Sequence, residues 1–321
     1  MKVILDMDPG VDDALAILFA LKLPNIEIEA ITAVSGNVPV QLGSVNALKV
    51  LSLAGVEKIP VAAGIGSLIK DLEMNGWRRR IARPRLHGEN GLGDAVLPSP
   101  KRPLEKSHAV DLILERIKEE PGELTMIPTG PLSNIAAAIL KDPESMKKIK
   151  EVVLMGGAAR VPGNVTPVAE FNIWYDPEAA RIVFNSDLPI IMVGLDVTTE
   201  VEITSAHLAR LAKRKSRVSE FVVEMVGNTM ERLKEVGYSG ESHVGFYLHD
   251  PLAVAVALDR SLVRTERLPV DVETKGELTR GMTVADRRIH RATAERNLID
   301  VCVDVDSRRF MDLFMSCLER Y

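Results

Sequence analysis

The chain alternates short apolar runs with longer amphipathic ones. Residues 2–5, 26–34, 60–63, 124–128, 152–155 and 190–193 each read as a compact β-strand. Helical patterns over residues 12–21, 40–54, 132–140 and 177–185 fall between them. This strand-then-helix rhythm predicts an α/β fold, a mainly parallel sheet with helices on both faces. Strands covered on both faces read as continuous apolar runs, as these do. The rhythm resumes near the C-terminus, with a strand at 298–303 and a helix over 309–318.

Two segments break the pattern. Residues 68–106 are rich in Arg, Gly and Pro and have no clear period. That is too long for an idle connection, so a functional loop or partner surface is expected there. Residues 204–236 are charged and helical, which reads as a solvated helical excursion extending to about residue 247 rather than a basic binding patch. No repeat, low-complexity tract or Ser/Gly linker divides the 321 residues. One domain over 1–321 is expected, although about 150 residues per domain would allow two.

Composition narrows the function classes. Hydrophobic residues make up 46% and charged residues 26%, ordinary for a soluble globular protein. With 40 basic against 45 acidic residues the formal charge is −5, which argues against an electrostatic nucleic-acid binder. Two cysteines, Cys302 and Cys317, exclude a disulfide framework and a Cys-rich zinc site. Asp6 and Asp8 interrupt the first apolar run, so it does not read as a signal peptide, and no run approaches a membrane span. A cytoplasmic protein with no membrane partner is the default expectation.

The strongest chemical signal is Asp6-Met7-Asp8-Pro9-Gly10-Val11-Asp12-Asp13, which follows a strand and opens a helix. Ligands of open α/β sheets sit at that end of a strand. Four carboxylates in eight residues repel one another unless a cation neutralises them. Hard oxygen donors brought together by a Pro-Gly turn suit Ca²⁺ or Mg²⁺. Helix-end complementarity, with Asp8 as a cap, accounts for two of the acids but not for four. Three further segments carry polar groups at element junctions. His249-Asp250-Pro251 opens an apolar helix, where an N-cap with a neighbouring His is the plain alternative. Pro128-Thr129-Gly130-Pro131 offers carbonyls without regular partners, or an ordinary strand end capped by Ser133 or Asn134. Glu170 and Asn172 are two apart on a segment read as extended, so they point to one side and suit vicinal hydroxyls. Asn37 sits at the end of the second strand and completes the set.

Together these residues resemble the nucleoside hydrolases, the inosine–uridine-preferring N-ribohydrolases. The resemblance covers essentially the whole chain. Asp6-Met7-Asp8-Pro9-Gly10-Val11-Asp12-Asp13-Ala14-Leu15-Ala16 matches the family's N-terminal DxDPGxDDAxA pattern. The other blocks follow in family order: Gly36-Asn37, His87 to Gly93, Pro128 to Asn134, Met155-Gly156-Gly157, Glu170-Phe171-Asn172 and His249-Asp250-Pro251. The resemblance implies a Rossmann-like, mixed-sheet fold and Ca²⁺ held by Asp8, Asp13, the Thr129 carbonyl and Asp250. Asp8 would also take a proton from a water on that ion, which then attacks C1′ of a ribonucleoside. Asp12, Asn37, Asn164, Glu170, Asn172 and Asp250 would bind the ribose hydroxyls, and Met155 would line the pocket. His249 is implied as the acid for the leaving base, and His87 as a second pocket histidine unless it only orders its loop. Tyr238, His243 and Tyr247 fall where the family places its variable base-contacting loop, and Trp77 reads as packing or an oligomer contact. A homo-oligomer, tetramer or dimer, and a role in nucleoside salvage are implied as well.

Two other classes compete. A haloacid-dehalogenase-type phosphatase also opens with two aspartates one residue apart, but it needs a Thr or Val where this chain has Gly10. Its later Gly-Asp and acid is not matched by Gly93-Asp94. A non-catalytic nucleoside or sugar sensor would share the fold. Retention of both Asp8 and His249 speaks against it, because binding alone needs no general base.

Overall fold

A computed structural model describes residues 1–67, 86–236, 245–288 and 298–321. Trp77, Tyr238 and His243 lie outside the described residues. Nine strands form one sheet: β1 (Lys2–Met7), β2 (Glu27–Ala33), β3 (Val61–Ala63), β4 (Leu124–Pro128), β5 (Glu151–Met155), β6 (Ile190–Val193), β9 (Val263–Val272), β10 (Thr283–Ala285) and β11 (Leu298–Val305). β7 (Glu202–Thr204) and β8 (Gly245–Tyr247) pair separately. The order across the large sheet is β10-β9-β11-β6-β5-β4-β1-β2-β3. Pairing is parallel from β3 to β11 and antiparallel at β11-β9 and β9-β10. The expected mainly parallel, mixed sheet is therefore present.

Side-chain alternation along β1 divides the core. Val3, Leu5 and Met7 face one cluster, with the helices Val11–Ala20, Val40–Leu53, Arg217–Glu235, His249–Leu258 and Ser307–Leu318. Ile4 faces the other, with Ala109–Glu119, Ser133–Lys141 and Pro177–Phe184. Every residue of the helix Val11–Ala20 is buried, because other helices cover its outer side. That is why its sequence is apolar nearly all round. Each such aliphatic side chain contributes roughly 1.5–3 kcal/mol on burial, which fixes the helix start that carries Asp12 and Asp13.

The chain runs from β1 outward to β2 and β3, then returns to place β4 on the other side of β1. The order reverses between β1 and β4, and crevices at such reversals are the usual ligand sites of open sheets. The acidic motif follows β1, and Thr129 follows β4. Residues 86–108 contain no helix or strand, in keeping with the irregular reading of that stretch. The charged helical stretch resolves into two helices, Ser205–Ala212 and Arg217–Glu235. No helix among the described residues is long and apolar enough to cross a membrane.

Candidate active site

The loop after β1 turns its acids inward. Asp6, Asp8 and Asp13 are fully buried, Asp250 is 2% exposed and Asp12 is 8% exposed. One oxygen of Asp8, Oδ2, accepts the backbone N–H of Asn37. Its Oδ1 has no hydrogen-bond partner among the described residues. Gly36 lets the backbone approach so closely that a Cβ there would collide with Oδ2 of Asp8. Asp13 accepts from Gly10 N at 2.9 Å and from the Thr129 hydroxyl at 2.9 Å. Gly10, not Asp8, is the helix N-cap, and Asp13 closes back on it. Asp250 lies in the first turn of His249–Leu258, which is capped by Leu248.

Asp12, Asp13 and Asp250 each present an oxygen within 4.8 Å of the others. Asp8 is outside that trio but acts on it through its charge. Burial, then the charge of Asp13, pushes the Asp8 carboxyl well up; burial, then Asp12, does the same to Asp250. Burial first, with Asp12 adding to it for Asp13, raises both Asp12 and Asp13 to about 6. Among the described residues no Lys or Arg pairs with any of the four; the His87 ring lies close by, its Nδ1 3.9 Å from Asp12. Asp8 Oδ1, Asp12 Oδ1 and Asp250 Oδ2 are buried and have no hydrogen-bond partner among the described residues. Orphaned carboxylate oxygens are costly to bury. A hard divalent cation satisfies them and reverses the upward shifts. The donor set therefore fits such an ion.

A second group adjoins these acids. Glu170 caps the short helix Phe171–Tyr175 and accepts the N–H of Asn172 at 3.0 Å and of Gly157 at 2.9 Å. The Asn172 amide donates to the Thr129 carbonyl at 2.7 Å and the Met155 carbonyl at 3.2 Å. Asn164 accepts from Phe171 N at 3.0 Å. Thr129, Met155, Asn164, Glu170 and Asn172 are thus linked through one network. The extended reading of the Glu170–Asn172 segment is corrected: Glu170 itself is extended, but Asn172 is helical. Ser133 and Asn134 do not cap their helix either. Ser133 donates to Asp176 at 2.6 Å, and Asn134 donates to Asp6 at 2.8 Å. The Thr129 carbonyl is not without a partner, because Asn172 donates to it.

On another side, His87 Nδ1 accepts the backbone N–H of Val11 at 3.1 Å. A backbone N–H only donates, so the neutral ring carries its proton on Nε2. Gly10 makes room for it, since a Cβ there would lie 2.7 Å from His87 Nδ1. His249 is half-buried, and its Nδ1 lies 2.7 Å from the Thr198 hydroxyl. The Tyr247 ring sits 5.5 Å away, tilted by 51°. Burial, then the nearby charge of His87, pulls the His249 ring down to about 4. It is neutral at pH 7.

Residues 3–312 match the family of inosine-uridine preferring nucleoside hydrolases. An inosine-uridine preferring nucleoside hydrolase of Crithidia fasciculata is 41% identical over 99% of this chain and 98% of its own. The chain belongs to the nucleoside hydrolase family. A pyrimidine-specific ribonucleoside hydrolase, RihA, of Salmonella gallinarum is 39% identical over 100% of this chain and 99% of its own. Among solved structures, a purine-preferring ribonucleoside hydrolase from Gardnerella vaginalis superposes with a TM-score of 0.92. It is 36% identical and covers 100% of this chain and 98% of its own. Nucleoside hydrolases this similar to the chain thus carry different base preferences in their names.

Three residues at this nucleoside hydrolase site carry no sequence signal of their own. Thr198 meets His249 across 51 positions. Tyr175 donates to the Ser35 hydroxyl at 3.2 Å, across 140 positions. Only the fold brings Thr198, Tyr175 and Ser35 to these partners, and none of the three stands in a motif with the residue it meets.

Proposed function

We propose that the protein hydrolyses the N-glycosidic bond of inosine- and uridine-type ribonucleosides, in a Ca²⁺-dependent reaction, to ribose and free base. The observation that supports this most directly is the convergence of Asp12, Asp13 and Asp250 beside Asp8, with buried oxygens unpaired among the described residues. Asp8, Asp13, the Thr129 carbonyl and Asp250 would hold the ion. Bound Ca²⁺ supplies fixed positive charge that orients a water and lowers its pKa.

The protein's own groups then divide the work. Asn37 N–H occupies one oxygen of Asp8, so the other, Oδ1, takes the proton of the attacking water. The water oxygen bonds to C1′ as the C1′–N bond breaks, and that electron pair goes to the base. Asp12, Asn37, Asn164, Glu170, Asn172 and Asp250 bind the ribose hydroxyls, while Met155 lines the pocket. The network through Glu170 and Asn172 fixes Asn164, Glu170 and Asn172 in advance, so little is lost in orienting these three. The surrounding acids favour the positive charge that develops on the ribose. The neutral His249 ring hydrogen-bonds the departing base through an N–H as the C1′–N electron pair moves onto it, and a proton from solvent completes the free base, with His87 as a second histidine on the base side. Because the ion's ligands span Asp8 to Asp250, we assign residues 1–321 to one catalytic domain.

The test is to incubate the protein with inosine and uridine and measure reducing sugar with and without a chelator. Sugar release that a chelator stops and added Ca²⁺ restores is the expected result. Release from neither nucleoside by folded, Ca²⁺-loaded protein would reject hydrolysis and leave a nucleoside-binding sensor.

A further inference from the structure

Thr198 ends the short helix Leu195–Thr198 and is fully buried. Its hydroxyl lies 2.7 Å from His249 Nδ1, and no other hydrogen bond to that hydroxyl occurs among the described residues. A helical Thr often turns its hydroxyl back to a carbonyl of the preceding turn. The neighbouring Thr199 does so, donating to Leu195 O at 2.8 Å. Thr198 instead meets His249.

Both partners are held from behind. Thr198 N donates to Gly194 O at 3.1 Å, and Leu195 N to Gly157 O at 2.9 Å. The Asp196 carboxylate accepts from Ala159 N and Arg160 N, each at 2.8 Å. On the other side, Leu248 N donates to Val201 O at 3.0 Å, which fixes the residue before His249. The distance between hydroxyl and ring is therefore set by the frame of the fold.

We propose that Thr198 is a positioning residue for departure of the base: its hydroxyl donates to Nδ1 of His249, fixes the ring, and leaves the ring proton on Nε2, which serves the leaving group. In a neutral imidazole the partner of one nitrogen decides which nitrogen carries the proton. A buried hydroxyl with one hydrogen-bonding neighbour gives its proton to that neighbour, since a buried donor left unsatisfied is costly. A departing purine or pyrimidine offers lone pairs, and Nε2–H is the matching donor. The inference rests on the reading of His249 as the donor to the base.

Thr198→Val keeps the shape and removes the hydroxyl, and Thr198→Ser keeps the hydroxyl. Both are assayed as Ca²⁺-loaded enzyme on inosine and on nitrophenyl riboside, whose leaving group departs as a stable anion. Thr198→Val should lower kcat on inosine about tenfold or more and change nitrophenyl riboside turnover by less than about twofold. Thr198→Ser should restore most of the inosine rate. Nitrogen NMR of the His249 ring should show Nδ1 unprotonated in the parent and a mixture of tautomers in the Val variant. An equal fall on both substrates, no fall on inosine, or a proton on Nδ1 in the parent would overturn the assignment. His249→Ala separates the two readings. If it slows both substrates alike, both readings fail; if it spares nitrophenyl riboside and Thr198→Val does not, this inference alone fails.

Discussion

At Asp8 one carboxylate oxygen is bound to a backbone N–H and the other has no hydrogen-bond partner among the described residues. At His249 one ring nitrogen is engaged and burial disfavours the cation. The two residues therefore fail differently when changed. Asp8→Asn removes the proton acceptor that every substrate needs, so inosine and nitrophenyl riboside should both go unhydrolysed. His249→Ala should cut inosine turnover by ~10²-fold, the scale of general acid–base catalysis, and spare nitrophenyl riboside. Steady-state kcat for the two substrates checks both variants. An equal fall for His249→Ala would instead assign it to ordering Asp250 in the turn they share.

The strand-to-helix junctions are the elements on which the site is built, and close backbone approach is their common device. Gly36→Ala would drive a Cβ into Asp8. Overpacking of this kind costs about 1–3 kcal/mol. We expect a lower Tm together with a loss of kcat on every nucleoside, read by thermal melts and sugar release. An unaltered Tm and kcat would show that the Asn37 loop yields freely. The same junctions explain what was legible in the sequence. β4 and β6 are covered on both faces, so their mainly apolar runs mark residues 124–128 and 190–193 to the residue. β9 lies toward the sheet edge, where Arg264, Thr265 and Arg267 are exposed and a Pro interrupts the run, and the pattern gives no sign of it. The helix Phe171–Tyr175 is aromatic and reads as extended; the Glu170 cap closes it, and a cap is a matter of geometry. The four acids of the first strand-to-helix junction were legible because they crowd into eight residues. Thr198 was not, since a buried Thr has the same sequence appearance whether or not a histidine lies opposite.

Over the whole molecule, the acids that make the site also work against the fold that carries it. Asp12 and Asp13 rise from 3.8 to about 6 on folding without a cation, because burial penalises their charge. A carboxyl raised in the folded state contributes stability that is complete below its unfolded pKa and is lost as pH climbs through the folded one. In a chelator the protein should therefore lose stability between about pH 4 and pH 6 through these two groups, and Asp8 and Asp250 extend the same trend upward. Half-buried acids away from the site, such as Asp142, held down to about 2 by Lys118, titrate in a lower window and do so with or without calcium. The difference between chelated and Ca²⁺-loaded melts thus isolates the site. At neutral pH a hundredfold excess of Ca²⁺ over its Kd adds about 2.7 kcal/mol, which for a chain of this size is a Tm increase of roughly 4 °C. Asp13→Ala should abolish that increase and bind no stoichiometric Ca²⁺. In chelator it should melt no lower than the parent at neutral pH, since the lost hydrogen bonds to Gly10 and Thr129 are offset by one less buried charge. Stoichiometric Ca²⁺ in the purified Asp13→Ala protein, with the parental Tm response intact, would remove Asp13 from the ligand set.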